Sequence, residues 1–145
     1  MKKIILIISI SFFSLQIQAY TLQKSNLDLS YPWGMTWADK TKLLITEKKS
    51  ARIILFDTLN NTSKIISHHI PVAPWGQGGL LDIITEGDNV WITCSIMKNK
   101  LLTTAVYKST LYNNSLIDAK LIFEATPYIN NAKHFGSRMT IKDDY

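Results

Sequence analysis

The chain has 145 residues, of which 46% are hydrophobic and 19% are charged. This length and balance allow one domain with a hydrophobic core, and they exclude a disordered tail or a collagen-like fibre. The single cysteine excludes an intramolecular disulfide and a zinc site built from several cysteines. The formal net charge of +5 could suggest a nucleic-acid binder, so the position of the basic residues has to be established first.

The first residues have the layout of a secretory signal peptide. Residues 1–3 form a short basic region with two lysines, and residues 4–15 are apolar apart from three serines. Two glutamines in residues 16–18 then precede the small residue Ala19. We predict cleavage after Ala19, so that residues 1–19 are a signal peptide and the mature protein is periplasmic or secreted. An uncleaved anchor is the weaker alternative, because the apolar run is shorter than the roughly 20 residues that span a membrane. We therefore expect no stable membrane anchor.

The basic residues of the mature chain are scattered. Removal of residues 1–19 takes away Lys2 and Lys3, which lowers Lys+Arg from 16 to 14 against 11 Asp+Glu and leaves a net charge of +3. The other lysines lie mostly in turn-like stretches, and no run of five or more like charges occurs. We therefore expect no nucleic-acid partner.

Eight short runs predict β-strands. Each run is rich in β-branched, aromatic or other apolar residues and is bounded by Asp, Asn, Gly, Lys or Ser. No stretch of the mature chain keeps a helical period, and the connections are too short for helical crossovers, so the strands should be antiparallel. An all-β sandwich, barrel or propeller is expected. In chain order, the predicted strands are residues 32–37, 42–47, 51–57, 64–70, 80–85, 89–96, 104–111 and 120–124.

A weak internal repeat is compatible with the propeller. Residues 37–46 and 84–93 both read as a strand, a polar turn and an apolar strand that ends in threonine. A period of about 40–50 residues is typical of propeller blades. Two copies leave the three folds open.

Two segments contain residue types that could carry chemistry. In residues 76–82, Gln77 stands among three glycines, and its amide can both donate and accept hydrogen bonds; a simple glycine turn is the plainer interpretation. In residues 130–139, His134 is a candidate general base at a junction between loop and strand; a structural, hydrogen-bonded histidine is the plainer interpretation. His68 and His69 are adjacent on a predicted strand and should point to opposite faces, so we predict no metal site there. Cys94 and the four tryptophans are predicted to pack in the core.

Four segments together resemble one family. Residues 31–35, 43–48, 76–82 and 133–139 have the order and rough spacing of the soluble PQQ-dependent aldose sugar dehydrogenases, the glucose/sorbosone dehydrogenase family. The resemblance implies a six-bladed β-propeller in the periplasm, with pyrroloquinoline quinone (PQQ) and calcium held over the central channel and a small sugar as substrate. It implies that His134 is the catalytic base, which takes the proton of the anomeric hydroxyl while a hydride moves to PQQ. It also implies that Gln77 lies at the cofactor and substrate site. The electron acceptor is not identified by the resemblance.

The chain departs from the family pattern in two residues and in length. Lys133 stands where the family usually has Asn or Asp, and Ser137 replaces a common glycine. Six blades of four strands need about 240 residues, and 126 residues follow position 19. We therefore expect residues 20–145 to form the N-terminal portion of such a propeller, with two to three blades. We also expect the chain alone to turn over no sugar, because the resemblance implies that the family's remaining cofactor-holding basic residues and its calcium site lie beyond residue 145. We expect it to be poorly soluble, because exposed sheet edges associate. The alternatives are an inactive fragment of such an enzyme and a non-enzymatic β-propeller-like binding module.

Overall fold

A computed structural model describes residues 21–142 of the chain. The predicted signal peptide, residues 1–19, lies outside the described residues. Between residues 21 and 142 the chain forms eight strands and no helix, which confirms the all-β prediction. No helix long and apolar enough to cross a membrane occurs in this part of the chain. The strands are β1 (Pro32–Trp37), β2 (Lys42–Glu47), β3 (Arg52–Asp57), β4 (Thr62–Ile66), β5 (Leu80–Glu86), β6 (Asn89–Lys98), β7 (Leu101–Tyr112) and β8 (Ser115–Glu124).

The strands form two sheets, each of four consecutive antiparallel strands. The first blade has the order β1-β2-β3-β4 and the second blade has the order β5-β6-β7-β8. Such four-stranded meanders are the blades of a β-propeller. β1 lies against β5, so the blades are neighbours with their first strands together. The prediction of a partial propeller is confirmed, with two blades in the described residues. The repeated segments 37–46 and 84–93 are the equivalent hairpins of the two blades.

The main core lies between the two blades. Because side chains alternate along a strand, Leu44, Ile53 and Leu55 of the first blade point toward Ile83 and Ile92 of the second, and all five are buried. Burial of each such side chain stabilises the fold by about 1.5–3 kcal/mol.

The opposite face of the first blade carries a smaller core. Ile45, Ile54 and Phe56 are buried there, and Leu27 and Leu29 of the segment before β1 pack on them. Both faces of β3 are therefore covered. This explains why its sequence is apolar without alternation.

Strand β4 ends before its predicted last residue, at the point where the side chain of His68 bonds backbone groups outside the strand. The prediction placed a strand at residues 64–70, whereas β4 is Thr62–Ile66. The ring of His68 bonds the carbonyl oxygen of Ala51 through Nε2 at 2.7 Å, and its Nδ1 accepts the amide hydrogen of Ile70 at 3.3 Å. His68 and His69 therefore lie after the strand rather than on it.

The packing prediction is confirmed for the cysteine and wrong for three of the tryptophans. Cys94 is fully buried, and burial raises the pKa of its thiol to about 12. Trp33, Trp37 and Trp75 are 41%, 54% and 64% exposed. On β1 the reason is the alternation of faces: Gly34 occupies the buried side, so both tryptophans of that strand point outward.

Candidate functional site

The two segments singled out in the sequence meet in space. The backbone amide of Gln77 donates to the carbonyl oxygen of Ala132 at 2.7 Å. The side-chain oxygen of Gln77 accepts the backbone amide hydrogen of His134 at 2.9 Å, across 57 positions of sequence. His134 has φ = 62°, a left-handed conformation that is uncommon for residues other than glycine. Gln77 therefore holds the backbone on both sides of Lys133 and fixes His134 in an unusual conformation.

Glycines let the backbone around Gln77 approach its neighbours closely. Gly76 has φ = 53°, and a Cβ on it would overlap with the carbonyl oxygen of Ala132 and lie 2.6 Å from the Ala132 Cβ. Gly79 has φ = 142°, and a Cβ there would overlap with the carbonyl oxygen of Lys48. These glycines therefore serve close contacts with two other segments as well as a turn.

A buried aspartate fixes the end of the His134 segment. The carboxylate of Asp82 accepts hydrogen bonds from Arg138 Nη1 and from the backbone amide of Met139, each at 2.9 Å. The backbone amide of Asp82 donates to Thr93 Oγ1, and Thr93 Oγ1 donates to the carbonyl oxygen of Ser137, each at 2.8 Å. The segment that carries His134 is thus tied to the second blade at its end and to Gln77, just before that blade, at its start.

A cavity of about 320 Å³ lies beside His134, within the size range of small-molecule sites. Its lining residues are Trp33, Lys48, Gln77, Leu81, His134 and Phe135. The Nζ of Lys48 stands 4.0 Å from the centre of the Trp33 ring, which is a cation–π contact. The adjacent Lys49 donates instead to the carbonyl oxygens of Gly76 and Gly78. Gln77 and His134 are exposed and accessible from solvent.

The structure places both predicted site residues, Gln77 and His134, on one cavity. His134 lies in a segment without strand pairing, so the expected junction between loop and strand is not formed among residues 130–142. Sequence reasoning missed the parts played by Trp33, Lys48 and Asp82. The available signal was their position: each lies in one of the segments 31–35, 43–48 and 76–82 that carried the family resemblance.

The described residues contain no group of three or more His, Cys, Asp or Glu side chains arranged to hold a metal ion. Asp82 is engaged by Arg138 and Met139. Glu47, which is also buried, binds Ser30, Ser50 and Arg52. Asp82 and Glu47, which are the sequence neighbours of the cavity residues Leu81 and Lys48, are thus both engaged by other residues of the fold.

Known proteins resemble this chain along most of its length. An uncharacterised protein of Synechocystis sp. is 30% identical over 77% of this chain and 30% of its own length. A crystal structure of a glucose dehydrogenase is 27% identical with a TM-score of 0.70, over 76% of this chain and 34% of the other.

Two further solved structures share the fold at lower identity. The soluble aldose sugar dehydrogenase of Escherichia coli in its apo form is 24% identical with a TM-score of 0.71, over 78% of this chain and 35% of that one. The PQQ-bound aldose sugar dehydrogenase of Streptomyces coelicolor is 19% identical with a TM-score of 0.65, over 74% and 34% of the two chains. The chain spans about a third of the length of the relatives that it matches.

The sequence profile described as Glucose / Sorbosone dehydrogenase matches residues 29–145. The match includes all four segments that carried the resemblance, and both loops of the candidate site lie within it. The chain therefore belongs to the glucose/sorbosone dehydrogenase family.

Proposed function

We propose that the cavity beside His134 is part of the active site of a PQQ-dependent dehydrogenase that oxidises aldose sugars at the anomeric hydroxyl. The observation that carries the proposal is the hydrogen bond between Gln77 and His134, because it joins two family segments at an accessible cavity. Membership of the glucose/sorbosone dehydrogenase family supports sugar oxidation as the reaction class.

In this proposal His134 is the catalytic base. Oxidation of an alcohol to a carbonyl removes a proton from oxygen and a hydride, with two electrons, from carbon. An imidazole nitrogen of His134 accepts the proton of the anomeric hydroxyl, and a bound quinone cofactor would supply the acceptor for the hydride. The bond from Gln77 orients the backbone of His134, and the Asp82 network anchors the residues that follow. Such anchoring fixes the backbone from which the imidazole projects toward the cavity.

The residues of the cavity fit PQQ, a flat aromatic quinone that carries carboxylates. Trp33 and Phe135 offer aromatic surfaces, Lys48 offers a positive charge, and Gln77 offers an amide. PQQ, when bound, would supply the hydride acceptor. The described residues do not fit calcium in the same way, since they hold no cluster of metal-binding side chains, so the proposal includes no step through calcium.

We further propose that residues 20–145 are the N-terminal portion of the propeller domain and that the protein is exported to the periplasm after loss of residues 1–19. The basic, apolar and small-residue pattern of residues 1–19 supports export. The coverage of about a third of each relative supports the assignment of the domain portion. A small sugar is the proposed partner.

A chimera tests the proposed function. Residues 29–142 replace the matching third of the Escherichia coli aldose sugar dehydrogenase, and glucose-dependent dye reduction is followed with added PQQ and calcium. We expect turnover that falls about 100-fold or more in His134→Ala, as for loss of a general base. Lys133→Met is the matched control and should stay within a few-fold of the parent, because Lys133 is a neighbour outside the cavity lining.

Two outcomes would contradict the proposal or its companion expectation. Undiminished turnover of a folded His134→Ala chimera would refute the role of His134 as base. Robust turnover by the 145-residue chain alone, abolished in its His134→Ala variant, would overturn the expectation that two blades are too few for activity.

A further inference from the structure

We propose that Lys48 binds a carboxylate of the planar aromatic ligand that occupies the His134 cavity. This inference rests on the proposed function of the site and adds a ligand contact from the first blade.

Two backbone hydrogen bonds fix the position of Lys48. Its amide donates to the carbonyl oxygen of Tyr31, and its own carbonyl oxygen accepts the amide hydrogen of Leu80, each at 3.0 Å. Gly79 makes room for the side chain, since a Cβ there would lie 2.7 Å from Lys48 Cγ. Lys48 therefore follows β2 at a point that is held on one side by Tyr31, just before β1, and on the other by Leu80, the first residue of β5.

The charge of Lys48 has no acidic partner among residues 21–142. Asp39 pairs with Lys42, Glu47 with Arg52, and Asp82 with Arg138. The six residues that line the cavity include no carboxylate. A concave site of one charge sign attracts solutes of the opposite sign. The cavity should therefore favour an anionic ligand.

The neighbouring aromatic rings indicate the shape of that ligand. Lys48 Nζ lies over the Trp33 ring, and Phe135 lines the same cavity. A flat ligand in contact with these rings would have its acidic edge near an ammonium group that can donate three hydrogen bonds. A carboxylate accepts such charge-assisted bonds strongly. Lys49 does not compete for the ligand, because it is bound to the carbonyl oxygens of the Gly76–Gly78 turn.

The test is a binding experiment that needs no turnover. PQQ and, separately, trimesate (a flat benzene tricarboxylate) are titrated into the isotopically labelled chain, and the amide NMR signals of Gln77 and His134 are followed. Lys48→Met keeps the length of the stem and removes the charge. Lys133→Met is the matched control, because it removes the same charge next to His134 from a residue outside the cavity lining. Spectra away from the cavity show whether each variant is folded.

We expect Lys48→Met to weaken both ligands about tenfold or more, as for loss of one charge-assisted hydrogen bond, and Lys133→Met to change binding by less than about threefold. Equal binding of PQQ by the parent and by Lys48→Met would overturn the role of Lys48 and leave the proposed function standing. Binding of trimesate that depends on Lys48, without binding of PQQ, would support Lys48 and count against PQQ. Absence of binding by both ligands would overturn the inference. So would signal shifts confined to Trp75 and Asn130, which line a separate cavity.

Discussion

Substitution of Gly76 by alanine should separate backbone strain from steric conflict at the candidate site. Gly76 has φ = 53°, and an added methyl group would overlap with the carbonyl oxygen of Ala132. That oxygen accepts the amide hydrogen of Gln77 at 2.7 Å. The methyl group must therefore push away the residue that Gln77 holds, and His134 lies two positions further along.

Two other glycines provide matched controls for the size of the effect. Gly136 has open space and no positive φ, so Gly136→Ala should be neutral or stabilise by up to about 1 kcal/mol through the unfolded state. Gly87 has φ = 55° and open space, so Gly87→Ala should show the left-handed penalty alone, a net loss of about 0.5–1 kcal/mol. Gly76→Ala adds an overpacking cost of about 1–3 kcal/mol, for a total loss of about 1.5–4 kcal/mol.

Equilibrium unfolding in urea measures these differences. With an m-value of about 2 kcal/mol/M, the midpoint of Gly76→Ala should fall by about 0.8–2 M and that of Gly87→Ala by at most about 0.5 M. Hydrogen exchange at the amide of His134 should become faster in Gly76→Ala only, because only that change displaces the Gln77 contact. Equal losses in Gly76→Ala and Gly87→Ala would refute the reasoning, since the Ala132 contact would then contribute nothing.

Three further predictions concern buried polar groups. Burial alone would raise the pKa of Glu47, but its hydrogen bonds, above all the one from Arg52, outweigh burial and hold the pKa below the usual 4.5. The stabilisation from Glu47 is therefore present above the pKa of the unfolded state and is lost as pH falls through the pKa of the folded state. Glu47→Gln should therefore be less stable at pH 7 and show a flatter decline below about pH 4.5, and an unchanged pH profile would contradict this. Cys94, with its pKa raised to about 12 by burial, should resist a thiol reagent at pH 8 until the chain unfolds, and rapid labelling of the folded chain would refute its burial. Asp82→Asn should cost about 1.5–3 kcal/mol and speed hydrogen exchange at the Met139 amide, whereas unaltered exchange there would show that the carboxylate does not hold that segment.

Most of the strand positions could be predicted because local chemistry marks their ends. At the end of β3, for example, the Asp57 carboxylate caps the turn by accepting the amide hydrogens of Leu59 and Asn60, each at 3.0 Å, and the sequence shows this turn directly. Strand β8 was predicted only at residues 120–124, although it begins at Ser115. Asp118 lies within it at φ = 54°, where the register against β7 shifts. A bulge of this kind depends on the partner strand, so its polar residues resemble a loop in the sequence.

The candidate site was only partly predictable for a similar reason. Gln77 and His134 could be proposed from residue type and family segments, but their contact joins positions 57 residues apart. The role of Lys48 depends on the bond that ties the end of β2 to Leu80 at the start of β5. Such contacts are set by the packing of one blade on the next, and no local pattern in the sequence specifies them.

The threonines that end the two repeated segments explain why distant loops meet at one cavity. Thr46 Oγ1 accepts the amide hydrogen of Gly34 at 2.9 Å and donates to the carbonyl oxygen of Leu81, in the first strand of the next blade, at 2.6 Å. Thr93 Oγ1 repeats both bonds one blade later, with Asp82 as donor and Ser137 as acceptor. Ser137 therefore contacts the second blade in the way that Leu81 contacts the first. Its segment occupies the position that the first strand of a following blade would take. Gln77 lies just before the first strand of the second blade, and His134 lies just before Ser137, at the equivalent position one blade later. The blade repeat itself therefore brings Gln77 and His134 together.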